Sequence, residues 1–189
     1  MKNIHKPLST AILLSCLLSA CSLFKGADEH PVIQDFRQQM DKSITLMDQR
    51  HTQVGKLLTE NSGRNYALAL QLMQGNDQQA TQALNHLWVF LGKFEYDSSS
   101  WTSSPSPKDK EKPDPLLKRF ESCEEYAQTI GFLLETQGAL LPFARTAAGK
   151  QEPSYLRSIR EYDKKILQSS REARETCSGL PVERLRSKK

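Results

Sequence analysis

Several things that would give a chain an obvious chemistry are missing from this one. Among its 189 residues there is no HExxH, no GxSxG, no phosphate-binding glycine loop and no CxxC. That removes the zinc-protease, nucleophile-elbow, nucleotide and zinc-ribbon readings that rest on such motifs. An excess of one charge is missing too, since 26 basic residues stand against 22 acidic ones, which gives no argument for nucleic acid as a partner. Beyond the first twenty residues no apolar run approaches the roughly 20 residues needed to span a bilayer. There is no internal repeat. Cysteine is scarce, and its four copies are unevenly placed: Cys16 and Cys21 near the start, Cys123 and Cys177 far downstream.

The start is a targeting segment. Lys2 and Lys6 make a short positive region, and Leu8 to Ala20 is an apolar stretch too short to span a membrane. It ends Leu18-Ser19-Ala20-Cys21. That tetrad resembles the lipobox of bacterial lipoproteins, with leucine three places before the cut, small residues after it and cysteine at the new N-terminus. The resemblance covers only the first 21 residues. It implies removal of residues 1–20 and acylation of Cys21, and two or three acyl chains make a lasting anchor where one is marginal. In that family an aspartate after the cysteine favours retention in the inner membrane. Ser22 stands there, which implies the outer membrane, facing the periplasm. Cys16 leaves with the leader, and the tether from Cys21 to about residue 30 is short enough to keep the domain near the membrane.

The leader holds only the two lysines and no acid, so the remaining 169 residues carry 24 basic and 22 acidic side chains. That length suits one domain with a sizeable core. Its sequence reads as helix almost throughout. One apolar stripe runs through Ile33, Phe36, Met40, Ile44, Met47, His51, Val54 and Leu58, the three- and four-residue steps of a helix face. After Asn61-Ser62-Gly63 a second runs through Tyr66, Leu70 and Met73, then Ala80, Leu84, Leu87, Leu91 and Phe94. Gly75-Asn76-Asp77 interrupts it, as either a kink or a true break. Residues 97–113 are rich in Ser, Pro and Lys and read as a flexible linker. Asp114-Pro115 then opens a third helix as N-cap and first residue, with Pro142 expected to kink its end. A fourth runs from Pro153 to a stop at Gly179 and Pro181, which leaves 180–189 as a basic tail and 31–179 as the domain.

The last two stripes mirror one another about residue 150. In that hairpin register Ala144 faces Leu156, Leu134 faces Ile166 and Cys123 faces Cys177, within reach of a disulfide. An even pair of cysteines in an oxidising compartment fits that bond. The same register sets Gln137 against Asp163, one polar layer that would fix register at some cost in stability. The expected architecture is therefore all-α: an antiparallel bundle of about four long helices, stapled by one disulfide.

Few residues offer chemistry. Glu121, Glu124 and Glu125 sit near the start of the third helix, where acids favour the dipole. His51 shares a stripe with Met40 and Met47, a set that could hold copper or haem but reads more simply as core, and His30 and His86 lack ligand spacing. No cofactor or metal is expected. Trp101 in the linker and Arg184, Arg186, Lys188 and Lys189 in the tail are the candidates for meeting a partner, since hot spots favour Trp and Arg. The functional expectation is a non-enzymatic accessory lipoprotein that binds another envelope protein in assembly or secretion. The alternatives are an immunity lipoprotein that blocks a periplasmic toxic enzyme, and a metal- or haem-binding carrier.

Overall fold

A computed structural model of the chain describes residues 30–59, 63–99, 114–149 and 154–188. Cys21, Trp101 and Lys189 lie outside the described residues, as does the linker beyond Ser99. Four helices make the body: α1 (Pro31–Thr59), α2 (Gly63–Lys93), α3 (Pro115–Gly149) and α4 (Ser154–Ser178). They are antiparallel in sequence, α1 packing on α2 and α4, α3 packing on α4 and α2, with α2 and α4 also touching across the middle. This is the expected bundle, in up-down-up-down order.

The buried positions explain why these helices associate. In α4 they fall at Leu156, Ile159, Asp163, Ile166, Ser170, Ala173 and Cys177, alternating steps of three and four. In α1 they begin Ile33, Phe36, Met40, Ser43 and Met47, the same rhythm. A seam that repeats every seven residues keeps facing its neighbour only if the helices wind around one another to the left. Two apolar clusters result. One contains Met40, Phe90, Ile130 and Ile166 with both cysteines, and the other contains Val54, Met73, Ala144 and Leu156. Phe36 and Phe90 meet in the first with ring centroids 4.6 Å apart.

Cys123 and Cys177 are joined, their Cα atoms 5.7 Å apart. The hairpin register read from their spacing is the one the chain adopts. At the start of α3, Asp114 caps as expected, its Oδ1 accepting from the Leu116 N–H at 2.9 Å. Pro142 lies inside α3, which nonetheless runs to Gly149.

One open alternative is decided and two expectations are corrected. Helix α2 is continuous through Gly75-Asn76-Asp77. Gly75 provides space there rather than a stop: a Cβ on it would come within 2.9 Å of the Arg50 guanidinium, which donates to the Gly75 carbonyl. The region after 179 is not a free tail. Leu180 and Leu185 are buried, and Leu185–Ser187 forms a short strand, β2, antiparallel to β1 (Phe94–Tyr96). The domain therefore extends through Lys188, and Asp97 to Ser99 belong to it rather than to a linker. The three acids of α3 lie beyond its first turn and are exposed, so the dipole gives them little.

Replacing Cys123 and Cys177 together by alanine should lower unfolding free energy by about 2–5 kcal/mol, because the bond closes a long loop of the unfolded chain. Denaturant titrations of the variant and of the reduced wild type should agree. No change in either would mean the hairpin register is held entirely by packing.

Candidate functional site

Between the two apolar clusters every helix places polar side chains at one level. Asp163 of α4 is 5 % exposed and Gln137 of α3 is fully buried. The amide of Gln137 donates to Asp163 Oδ1, as the hairpin register required, and to the Ile159 carbonyl at 3.4 Å. Asn76 of α2 is 3 % exposed and donates to Asp163 Oδ2 at 2.8 Å. From α1 come His51 and Arg50. Each falls where the seven-residue seam comes round between an apolar residue of one cluster and of the other: Met73–Asn76–Ala80, Ile159–Asp163–Ile166. Asn76 and its neighbour Asp77 were missed because Gly75 looked like a break, although the step from Met73 to Ala80 was already in phase.

The layer's electrostatics follow from its dryness. Burial pushes the Asp163 carboxyl up to about 6, against the pull of the Asn76 and Gln137 donors. Burial and the nearby Asp163 push Asp77 up to about 7. Burial and then the Arg160 charge lower His51. Several atoms here have no hydrogen-bond partner: His51 Nδ1, Asn76 Oδ1, Asp77 Oδ1, Gln137 Oε1 and Arg160 Nε. Such groups are the ones that bind buried water or an incoming ligand.

Arg160 connects this layer to the surface. It lies over Gly55 of α1, where a Cβ would come within 2.5 Å of its Nη2. A groove of about 720 Å³ opens beside it, lined by Gly55, Leu58, Thr59, Arg157, Ser158 and Glu161. Across α4 a second groove of about 390 Å³ shares Ser158 and Glu161 and adds Leu140, Tyr162 and Lys165. One turn along from its Leu140 and Ser158, Phe143 and Tyr155 stack with centroids 5.6 Å apart, 56 % and 38 % exposed.

The tail residues proposed to meet a partner are mostly engaged within the fold. Arg184 is largely buried, stacks 5.0 Å over the Tyr96 ring, and donates to the Tyr96 hydroxyl, to Asp114 Oδ2 and to the Asp97 carbonyl. Burial alone would raise the Asp114 carboxyl, but hydrogen bonds from Tyr96 and Leu116 and the Arg184 charge hold it below its usual range. Burial and that same carboxylate push the Tyr96 hydroxyl up to about 12. Arg184 is thus an internal tie and not a surface contact. Arg186 pairs with Asp97 at 2.8 Å while staying half exposed, and the Lys188 ammonium donates to the Leu91 carbonyl at 2.7 Å.

Met40 and Met47 are core residues, and His86 lines a small recess with Asp35 and Lys93. Among the described residues no three His, Cys, Asp or Glu side chains converge to hold a metal ion, and no helix is long and apolar enough to cross a membrane. Comparison with known families, characterised proteins and solved structures finds no match to this chain.

Two outcomes are expected from the layer. Asp163→Leu strands two buried amides and should cost about 3 kcal/mol, whereas Asp163→Asn should cost less because either amide can turn its oxygen inward. Equal losses in chemical denaturation would show that the layer acts only through volume. Asp77 is held near 7 in the folded state against an ordinary 3.8, so the stability it contributes is full below about pH 4 and is lost as pH rises through 7. His51, being lowered, acts in the opposite sense, so the comparison must be between variants. The melting temperature of Asp77→Asn should exceed that of wild type by a margin that grows from pH 5 to pH 8. A constant margin would rule the linkage out.

Proposed function

We propose that this chain is an outer-membrane lipoprotein, anchored through Cys21, whose helical body binds another envelope protein without catalysing a reaction. The observation that carries the reading is Leu18-Ser19-Ala20-Cys21 at the end of a positively charged, apolar leader. The disulfide between Cys123 and Cys177 supports it, because such bonds persist in oxidising compartments such as the periplasm. The body supports a binding role by its rigidity. One end of the bundle is closed by the disulfide, by the β1–β2 pair and by the Arg184–Asp114 tie, so an interface built on it need not be ordered on binding. Lipid at Cys21 would hold that body at one membrane face, and its partner would be met by surface complementarity.

Cells expressing Cys21→Ser should show no incorporation of labelled palmitate into the protein, and the chain should leave the washed membrane fraction. A wild-type chain that takes up no label refutes the anchor. Photo-crosslinking from exposed helix positions in intact cells should trap one recurrent envelope protein with wild type and much less of it with Cys21→Ser. Turnover of an envelope substrate by the purified protein, abolished by a single side-chain change, would refute the non-catalytic part.

A further inference from the structure

The contact between α1 and α4 is built as a ladder of arginines from α4 on acids of α1. Arg174 forms an ion pair with Asp41, its Nη2 donating to Oδ2 at 3.0 Å and its Nε lying 2.9 Å from Oδ1. Seven residues along α1, Asp48 takes Arg171 at 2.9 Å. Seven further the α1 residue is Gly55, and the arginine laid across it is Arg160, two heptads before Arg174. No acid of α1 between Thr52 and Thr59 can serve it. The third rung has its arginine and lacks its carboxylate.

Two other glycines among the described residues seat an arginine from elsewhere in the chain, and the comparison isolates what is different here. Arg50 lies on Gly75 and donates to its carbonyl, and Arg119 lies on Gly179 and donates to its carbonyl at 3.2 Å. Arg160 lies as close to Gly55 yet makes no hydrogen bond or ion pair among the described residues, and its buried Nε is unpartnered. Arg157, one turn earlier, is exposed on the same groove and pairs with no carboxylate among the described residues, Glu161 being the one acid of the lining. A guanidinium is a planar fork that takes an oxyanion with two bonds, and a buried Nε left without a partner is costly. The other side of α4 supplies the exposed Phe143–Tyr155 stack beside the groove of Leu140 and Tyr162. Arginines on one side of α4 and exposed aromatics on the other give this end of the bundle the residue types that interface hot spots favour.

We propose that this end of the α1–α4 face binds an acidic peptide segment of a partner protein. A glutamate or aspartate of that segment completes the ladder on Arg160 and Arg157, and an apolar side chain further along it, where it crosses α4, lies on Phe143 and Tyr155. The proposal rests on the binding-module reading for its partner being a protein. It differs in the surface that reading first pointed to, placing the contact on α4 rather than on the segment after residue 180.

The test is a peptide-display selection on the purified full chain in detergent, followed by anisotropy titration of the synthesised winning peptide. The winners should carry an acid several residues from an aromatic or branched aliphatic residue, and changing that acid to its amide should weaken binding at least tenfold. Arg160→Glu should do the same. Gly55→Ala keeps every charge but displaces the guanidinium, so it should weaken binding several-fold while the melting temperature holds or rises, which loss of mere packing would not produce. Phe143→Ser should weaken it as well. If Arg160→Glu does not fold, Arg157→Glu and Gly55→Ala decide the matter. Selection that yields no binder, or binders indifferent to Gly55→Ala and Arg157→Glu, overturns the site. Displacement of the peptide by equimolar inorganic phosphate overturns it too, assigning the groove to a free oxyanion. The selection uses isolated protein, so its failure leaves the lipid anchor standing, and loss of palmitate labelling leaves this groove standing.

Discussion

Asp163 places a carboxylate where all four helices meet, and a carboxylate taken out of water must find donors there. It finds them on two different helices, the Asn76 amide of α2 and the Gln137 amide of α3. A slip of either helix by one turn would replace an amide with a hydrocarbon and leave the charge uncompensated, a loss of several kcal/mol. The apolar seams on either side have no comparable preference, since Leu, Ile and Ala can be exchanged between neighbouring levels at modest cost. The layer therefore sets the level at which three helices stand, and the apolar clusters fill in above and below it.

Much of this could be read from residue order because the seams are regular. In the last hairpin two cysteines and two polar interruptions fall at equal distances from one turn, and four residues so arranged allow a single register. In the first hairpin no such markers exist. Gly75 was the obstacle, since glycine in a helix usually marks an end, and only the neighbouring helix shows that the space was needed for Arg50. The same limitation hid the Gly55–Arg160 seat, which involves residues more than a hundred positions apart. Charge beyond residue 180 misled in another way. Basic side chains in a short closing segment look solvated until one sees that Asp114, Tyr96 and Asp97 had been left waiting for them.

The two ends of the bundle differ in how they are held. The end with Cys123 and Cys177 is covalently joined, has its strands paired and contains a nearly dry ion pair. The other end relies on the cluster around Val54, Met73 and Leu156, and carries the grooves, the unpaired arginines and the exposed aromatic stack. Adaptable surfaces are drawn from the less stable parts of a fold, and here the reactive surface and the weaker restraint coincide.

The pairing of β1 with β2 also dictates an order of events as the chain is made. Arg184 must find Asp114 across 70 residues, and Asp163 must find Asn76 across 87. Synthesis delivers α1 and α2 first, and these can pair with only local loops to close. At that stage Asn76 lies on the open seam without its acceptor, and Tyr96 and Asp114 face water. The last quarter of the chain thus closes contacts that the earlier elements open: Asn76 gains its acceptor only with α4, and Asp114 its arginine only with the residues after it.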